Sequence, residues 1–146
     1  MEHPRGGENR LGASLFDDFL ALVGFFILVY PFIGAFEAHG PVPETVLFAG
    51  FVLDSVFLTS LVLALPAAFV YRYTGGTLGN LGSFVLVSVA LYLVVGFAAM
   101  ILLGATDSAP NTGSTASLVM NLSLNSLVYL TAYGAVYRDT LSTGTG

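Results

Sequence analysis

The sequence predicts an all-α membrane protein, an antiparallel four-helix transmembrane bundle with both termini in the cytoplasm. Three observations lead there. The composition is too poor in charge for a wetted surface, four apolar stretches are long enough to cross a bilayer, and every basic residue falls on one side of them.

Of 146 residues, 55% are hydrophobic and only 9% are charged, with a mean hydropathy of +0.85. A soluble domain carries about 25% charged residues. The length suits one domain. Without any cysteine, disulfides, iron–sulfur clusters and thiolate chemistry are excluded. The two histidines, His3 and His39, stand in polar flanks, which excludes haem ligation from within a helix. The net charge is −5, and the basic total is four arginines with no lysine, a usage resembling that of salt-adapted, GC-rich prokaryotes. Such a chain offers no basic patch to neutralise phosphates, so nucleic acid is not an expected partner. The expected partner is the lipid bilayer.

A hydrocarbon core about 30 Å thick requires roughly 20 apolar residues in a helix. After a polar cytoplasmic segment, 1–14, a transmembrane domain over 15–137 supplies four such stretches. They run over about 15–36, 45–71, 81–105 and 117–137, and a short cytoplasmic tail, 138–146, follows. The second is interrupted by Asp54 and Pro66, the third carries no charge, and the fourth is the most polar. Short connections join them: a Pro- and Gly-containing turn over 37–44, a glycine-rich turn over 74–80 and a polar loop over 106–114. Connections this short make neighbouring spans antiparallel. Arg5 and Arg10 precede the first span, Arg72 ends the second and Arg138 follows the fourth, so all four lie on one face. The other face carries Glu37, Glu44 and Asp107. By the positive-inside rule both termini and the 74–80 turn are cytoplasmic, and Tyr71, Tyr73 and Tyr137 fit an interfacial aromatic belt there. A cleavable signal peptide is not expected, because cleavage before His39 would put Phe36 where a small residue is wanted.

Within the spans, Asp54 stands out. Nine residues into a helix starting at Thr45, it would lie roughly 14 Å deep, near the bilayer centre. Ionisable groups at that depth face a bundle interior or a wet cavity. With no arginine, lysine or histidine inside any span, Asp54 would have to be protonated, hydrated or paired with a cation from solution. Asn121 and Asn125, spaced i, i+4, project from one face of the fourth span with Ser117 and Val128 near the same stripe. Asn125 comes out at a similar depth, so a polar seam of Asp54, Asn121 and Asn125 is expected between spans two and four. It would serve as a proton or cation site, or as interhelical hydrogen-bonding contacts contributing about 0.6 kcal/mol each. Asn121-Leu122-Ser123 matches a glycosylation sequon but would be inaccessible within a span.

Asp17 and Asp18 open the first span, where the positive end of the helix dipole favours carboxylates. Arg10, two turns earlier, would share a face with Asp17. Pro31 and Pro66 inside spans each free a backbone carbonyl. Ala64 and Ala68 form one small-xxx-small pattern, too little to specify an oligomer.

Three segments, taken in order, resemble the RDD family of small integral membrane proteins. They are Arg10-Leu-Gly-Ala-Ser-Leu-Phe-Asp17 opening the first span, Thr74-Gly75-Gly76-Thr-Leu-Gly79 after the second, and Arg138-Asp139 with the small residues that follow. The resemblance covers nearly the whole chain and marks Arg10, Asp17, Gly75, Gly76, Gly79 and Asp139 as family-motif positions. It departs at Gly79-Asn80-Leu81, where the family's turn continues into basic residues. What it implies is a multi-pass membrane location and, as proposed for some members, sodium/proton exchange.

Two functions follow as expectations. One is proton or sodium transport through the polar site around Asp54, in a homodimer. The other is a non-catalytic accessory or scaffold subunit packed against a partner membrane protein. An enzyme is not expected, and no cofactor or metal is. No serine–histidine or serine–lysine pair is available within the spans. The adjacent carboxylates Asp17 and Asp18 point about 100° apart on a helix.

Overall fold

The computed structural model describes residues 6–38, 45–107 and 113–142. In order the chain forms α1 (Gly6–Glu37), β1 (Thr45–Phe48), β2 (Phe51–Asp54), α2 (Ser55–Tyr73), α3 (Leu78–Thr106) and α4 (Thr115–Ser142). The backbone of α1 and α4 is described through Arg10 and Asp139. Their side chains, and the whole of His3, Arg5, His39 and Glu44, lie outside the described residues.

Three helical segments are long and apolar enough to cross a membrane: Ser14–Glu37, Ser55–Tyr73 and Leu78–Thr106. The shortest, with 19 residues, reaches about 29 Å at 1.5 Å per residue, close to the hydrocarbon thickness. In a medium without water every backbone N–H and C=O must be satisfied within the segment, and the helix does this. The outward surface is apolar to match. On α3 only Leu81 and Ser88 are buried, while Leu86, Leu93, Val94, Phe97, Met100 and Ile101 are exposed. Apolar surface on this scale marks a membrane protein.

The second expected span, 45–71, is divided. Its first part is an antiparallel hairpin with Thr45 opposite Asp54 and Phe48 opposite Phe51, and the helix begins only at Ser55. Two local preferences outweigh the continuous apolar run. Valine and phenylalanine flank Ala49-Gly50, which takes positive φ at both positions (50° and 84°), as a two-residue hairpin turn requires. Asp54 then caps α2, its Oδ1 accepting from the Phe57 N–H at 2.8 Å. A short carboxylate is a good N-cap and a poor helix-interior residue.

The end of α2 is equally defined. The Gly76 N–H donates to the Tyr71 carbonyl (2.8 Å), and that of Gly75, at φ +84°, donates to Arg72 (3.1 Å). This is a Schellman stop, which needs a residue able to take positive φ after the cap. Gly76 has its own constraint, since a Cβ there would overlap the Tyr71 ring, which is held over the turn by its hydroxyl bond to the Thr77 carbonyl (2.8 Å). Gly79 has open space around it.

The helices pack through small residues. Val56, Ser60, Ala64 and Ala68 recur every fourth position and are the buried stripe of α2, which packs chiefly on α1. The Ala64–Ala68 pattern is thus spent inside the chain, letting two backbones approach closely. Ala21, Leu28, Ala68 and Leu81 form the core cluster, joined by Phe25, Phe84, Val85 and Tyr129. At Gly24 a Cβ would come 3.2 Å from the Leu81 side chain, so α1 and α3 approach closely there. On α4 the buried positions are Ser117, Asn125, Val128 and Ala132. Helix α1 contacts all three others, and α3 contacts α4.

Candidate functional site

Two polar constellations emerge, one in the middle of the helices and one at an end. The central one joins α1, α3 and α4. Asn125, 6% exposed, accepts a hydrogen bond at Oδ1 from the Tyr92 hydroxyl. One turn further along α4, the Tyr129 hydroxyl donates to the backbone carbonyl of Leu28. Pro31 lies three residues beyond Leu28 and cannot supply the N–H that the Ile27 carbonyl would normally receive. Tyr129 is an aromatic hub, with ring centroids 5.3 Å from Phe32, 6.0 Å from Phe84 and 5.8 Å from Tyr92. A cavity of about 210 Å³ beside it is lined by Leu28, Pro31, Ser88, Tyr92, Leu93 and Tyr129 among others. The Ser88 hydroxyl is buried with no hydrogen-bond partner among the described residues, as is that of Ser60 on α2.

The second constellation closes the end of the α1–α2 pair. Arg72 Nε lies 3.0 Å from Asp18 Oδ1, and Nη2 lies 3.8 Å from Asp17 Oδ2. The two carboxylates sit at the start of the apolar part of α1, and the arginine sits in the last turn of α2, where the helix dipole favours a cation. Beneath them a cleft of about 390 Å³ runs between Phe19, Leu22, Leu65 and Phe69.

The expected seam between spans two and four takes a different form. Asp54 is exposed at the start of α2, occupied as a helix cap, and the partner of Asn125 comes from α3 instead. Asn121 is half-buried and is not part of the Tyr92–Asn125 bond. The depth assigned to Asp54 assumed a helix from Thr45, and the hairpin removes that premise. Asp17 finds Arg72, an arginine distant in sequence, as an ion-pair partner. Of the family-motif positions, Gly75 and Gly76 shape the α2 stop.

Sequence reasoning passed over Tyr92 and Tyr129. The available signal was a tyrosine in the middle of an otherwise apolar span, since a buried phenol needs a hydrogen-bond partner. Among the described residues no group of three His, Asp or Glu side chains comes together as a metal ion would require. In comparisons with known proteins the chain matches no protein-family model, no curated protein and no solved structure.

Proposed function

We propose that this chain is an RDD-like, multi-pass membrane protein in which all four helices cross the bilayer antiparallel, with both termini cytoplasmic, and that it serves as a non-catalytic packing module. One observation carries the choice of module over carrier. Between the helix ends no charged side chain or histidine occurs: 19–36, 55–71, 78–106 and 115–137 contain none. With Asp54 engaged as a cap, proton or sodium movement through one chain has no carboxylate, histidine or basic side chain at mid-depth to act on. What supports the topology is the arginine distribution and the short connections.

Reconstitution in liposomes tests the reading. The purified protein leaves proton and sodium permeability at the level of empty vesicles, and reporter fusions at either terminus read as cytoplasmic. Flux above empty vesicles would return the transport reading, for which the Tyr92–Asn125–Tyr129 cluster is then the first place to mutate.

A further inference from the structure

The least protected element of the protein is the hairpin. Successive side chains of a strand point to opposite faces, and among the described side chains Leu47 and Val52 make one face apolar while Phe51 and Leu53 make the other so. Leu47 and Val52, opposite one another, are 74% and 71% exposed on one face, and Phe51 is 71% exposed on the other. The backbone is open as well. Phe48 and Phe51 flank a two-residue turn and so form the closing hydrogen-bonded pair, which leaves the N–H and C=O of Leu47 and Val52 pointing away from the hairpin. The sheet has two strands, and neither edge is paired among the described residues.

Neither solvent suits this element. Water disfavours two apolar faces, and hydrocarbon disfavours unpaired backbone groups. An isolated two-stranded hairpin is marginal even where one face is covered. The devices that guard natural edges, a lysine, a proline or a bulge, do not occur in Thr45–Phe48. A further strand laid along an edge would satisfy its open backbone groups.

We propose that β1 pairs edge to edge with β1 of a second copy, forming a four-stranded antiparallel sheet across a two-fold axis at Leu47. A second copy carries an identical edge, and antiparallel pairing of identical strands is self-complementary about a two-fold axis perpendicular to the sheet. The β1 edge is free of charge, whereas β2 ends in Asp54, whose carboxylate is already taken up as the cap of α2. This names the partner of the membrane module proposed above and rests on that reading.

Because the chain has no cysteine, Leu47→Cys and Phe97→Cys each create a single reactive thiol in the full-length protein. Phe97 is exposed on α3 and is the control. In native membrane vesicles a short bismaleimide converts Leu47→Cys mainly to a covalent dimer and leaves Phe97→Cys monomeric. A monomeric Leu47→Cys, a crosslink from it to a different protein, or equal crosslinking at both positions would overturn the pairing. Leu47→Pro removes an outward N–H and spares the ladder inside the hairpin. Dimerisation in detergent is then weakened by about tenfold or more, and an unchanged dimer would also overturn it. Extraction of the protein by alkaline carbonate would instead refute the membrane reading, so the two failures are distinguishable.

Discussion

Arg72 at the end of α2 and Asp18 at the start of the apolar part of α1 are joined through Nε and Oδ1 at 3.0 Å, with Asp17 alongside at 3.8 Å. Fifty-four positions separate the pair, and the packing of α2 against α1 brings them together. The side chains are 29%, 41% and 54% exposed for Arg72, Asp17 and Asp18, so solvent screens the attraction. Arg72→Ala is expected to lower stability by no more than about 1 kcal/mol. Thermal unfolding in detergent checks this, and the difference from the parent should shrink at 1 M salt, where the Debye length is about 3 Å.

Asp54 separates a helix cap from a charge-dependent site. Asparagine caps as well as aspartate, so Asp54→Asn is expected to leave stability within a few tenths of a kcal/mol. Asp54→Ala loses the bond to the Phe57 N–H and about 1 kcal/mol. Paired unfolding curves in one detergent provide the comparison. Equal losses from both substitutions would show that the carboxylate charge is needed.

The Tyr92–Asn125 bond is suited to a double-mutant cycle. Tyr92→Phe, Asn125→Leu and the double variant should give a coupling of about 0.6 kcal/mol and no more than about 1.7. The measurement is reversible unfolding in mixed micelles. A coupling indistinguishable from zero would mean that the two groups do not share a bond in the folded protein.

Ser60 and Ser88 each bury a hydroxyl without a partner. Serine-to-alanine substitution at either position removes the unpaired group, so it is expected to be neutral or to stabilise by about 1 kcal/mol. Loss of more than that on Ser88→Ala would reveal a bound water or ion held by the hydroxyl in the cavity beside Tyr92.

Gly76 is predicted to tolerate no side chain. Gly76→Ala drives a methyl group into the Tyr71 ring and should cost about 1–3 kcal/mol, the range for forced overpacking. Gly79→Ala, with open space around it, should not cost that overlap energy. Comparing the two midpoints of unfolding sets the overlap at Gly76 against a glycine in the first turn of α3 that meets no neighbour.

The sequence by itself determined the helical class and the apolar, membrane-suited character of the chain. Low charge density and the lengths of the apolar runs were enough, because a bilayer core imposes the same requirement on every segment that crosses it, whatever its neighbours are. The glycine turn was legible for a related reason. Gly75 and Gly76 act through the local backbone, and a stop signal needs no distant partner. Asn125 was also readable as the inward side of α4, from the spacing that it shares with Ser117 and Val128.

Only the tertiary structure decided who meets whom. Depth along a span is a single coordinate, and it made Asp54 and Asn125 look like neighbours. Contact depends also on rotation about each helix and on which helices are adjacent, and there α3 supplies Tyr92 while α1 supplies the Leu28 carbonyl. The hairpin was hidden for a different reason. A short run of valine, leucine and phenylalanine fits a strand as well as a membrane helix, and what tips it is a positive-φ turn at Ala49-Gly50 together with a cap at Asp54. Both are backbone conformations, which periodicity alone does not record.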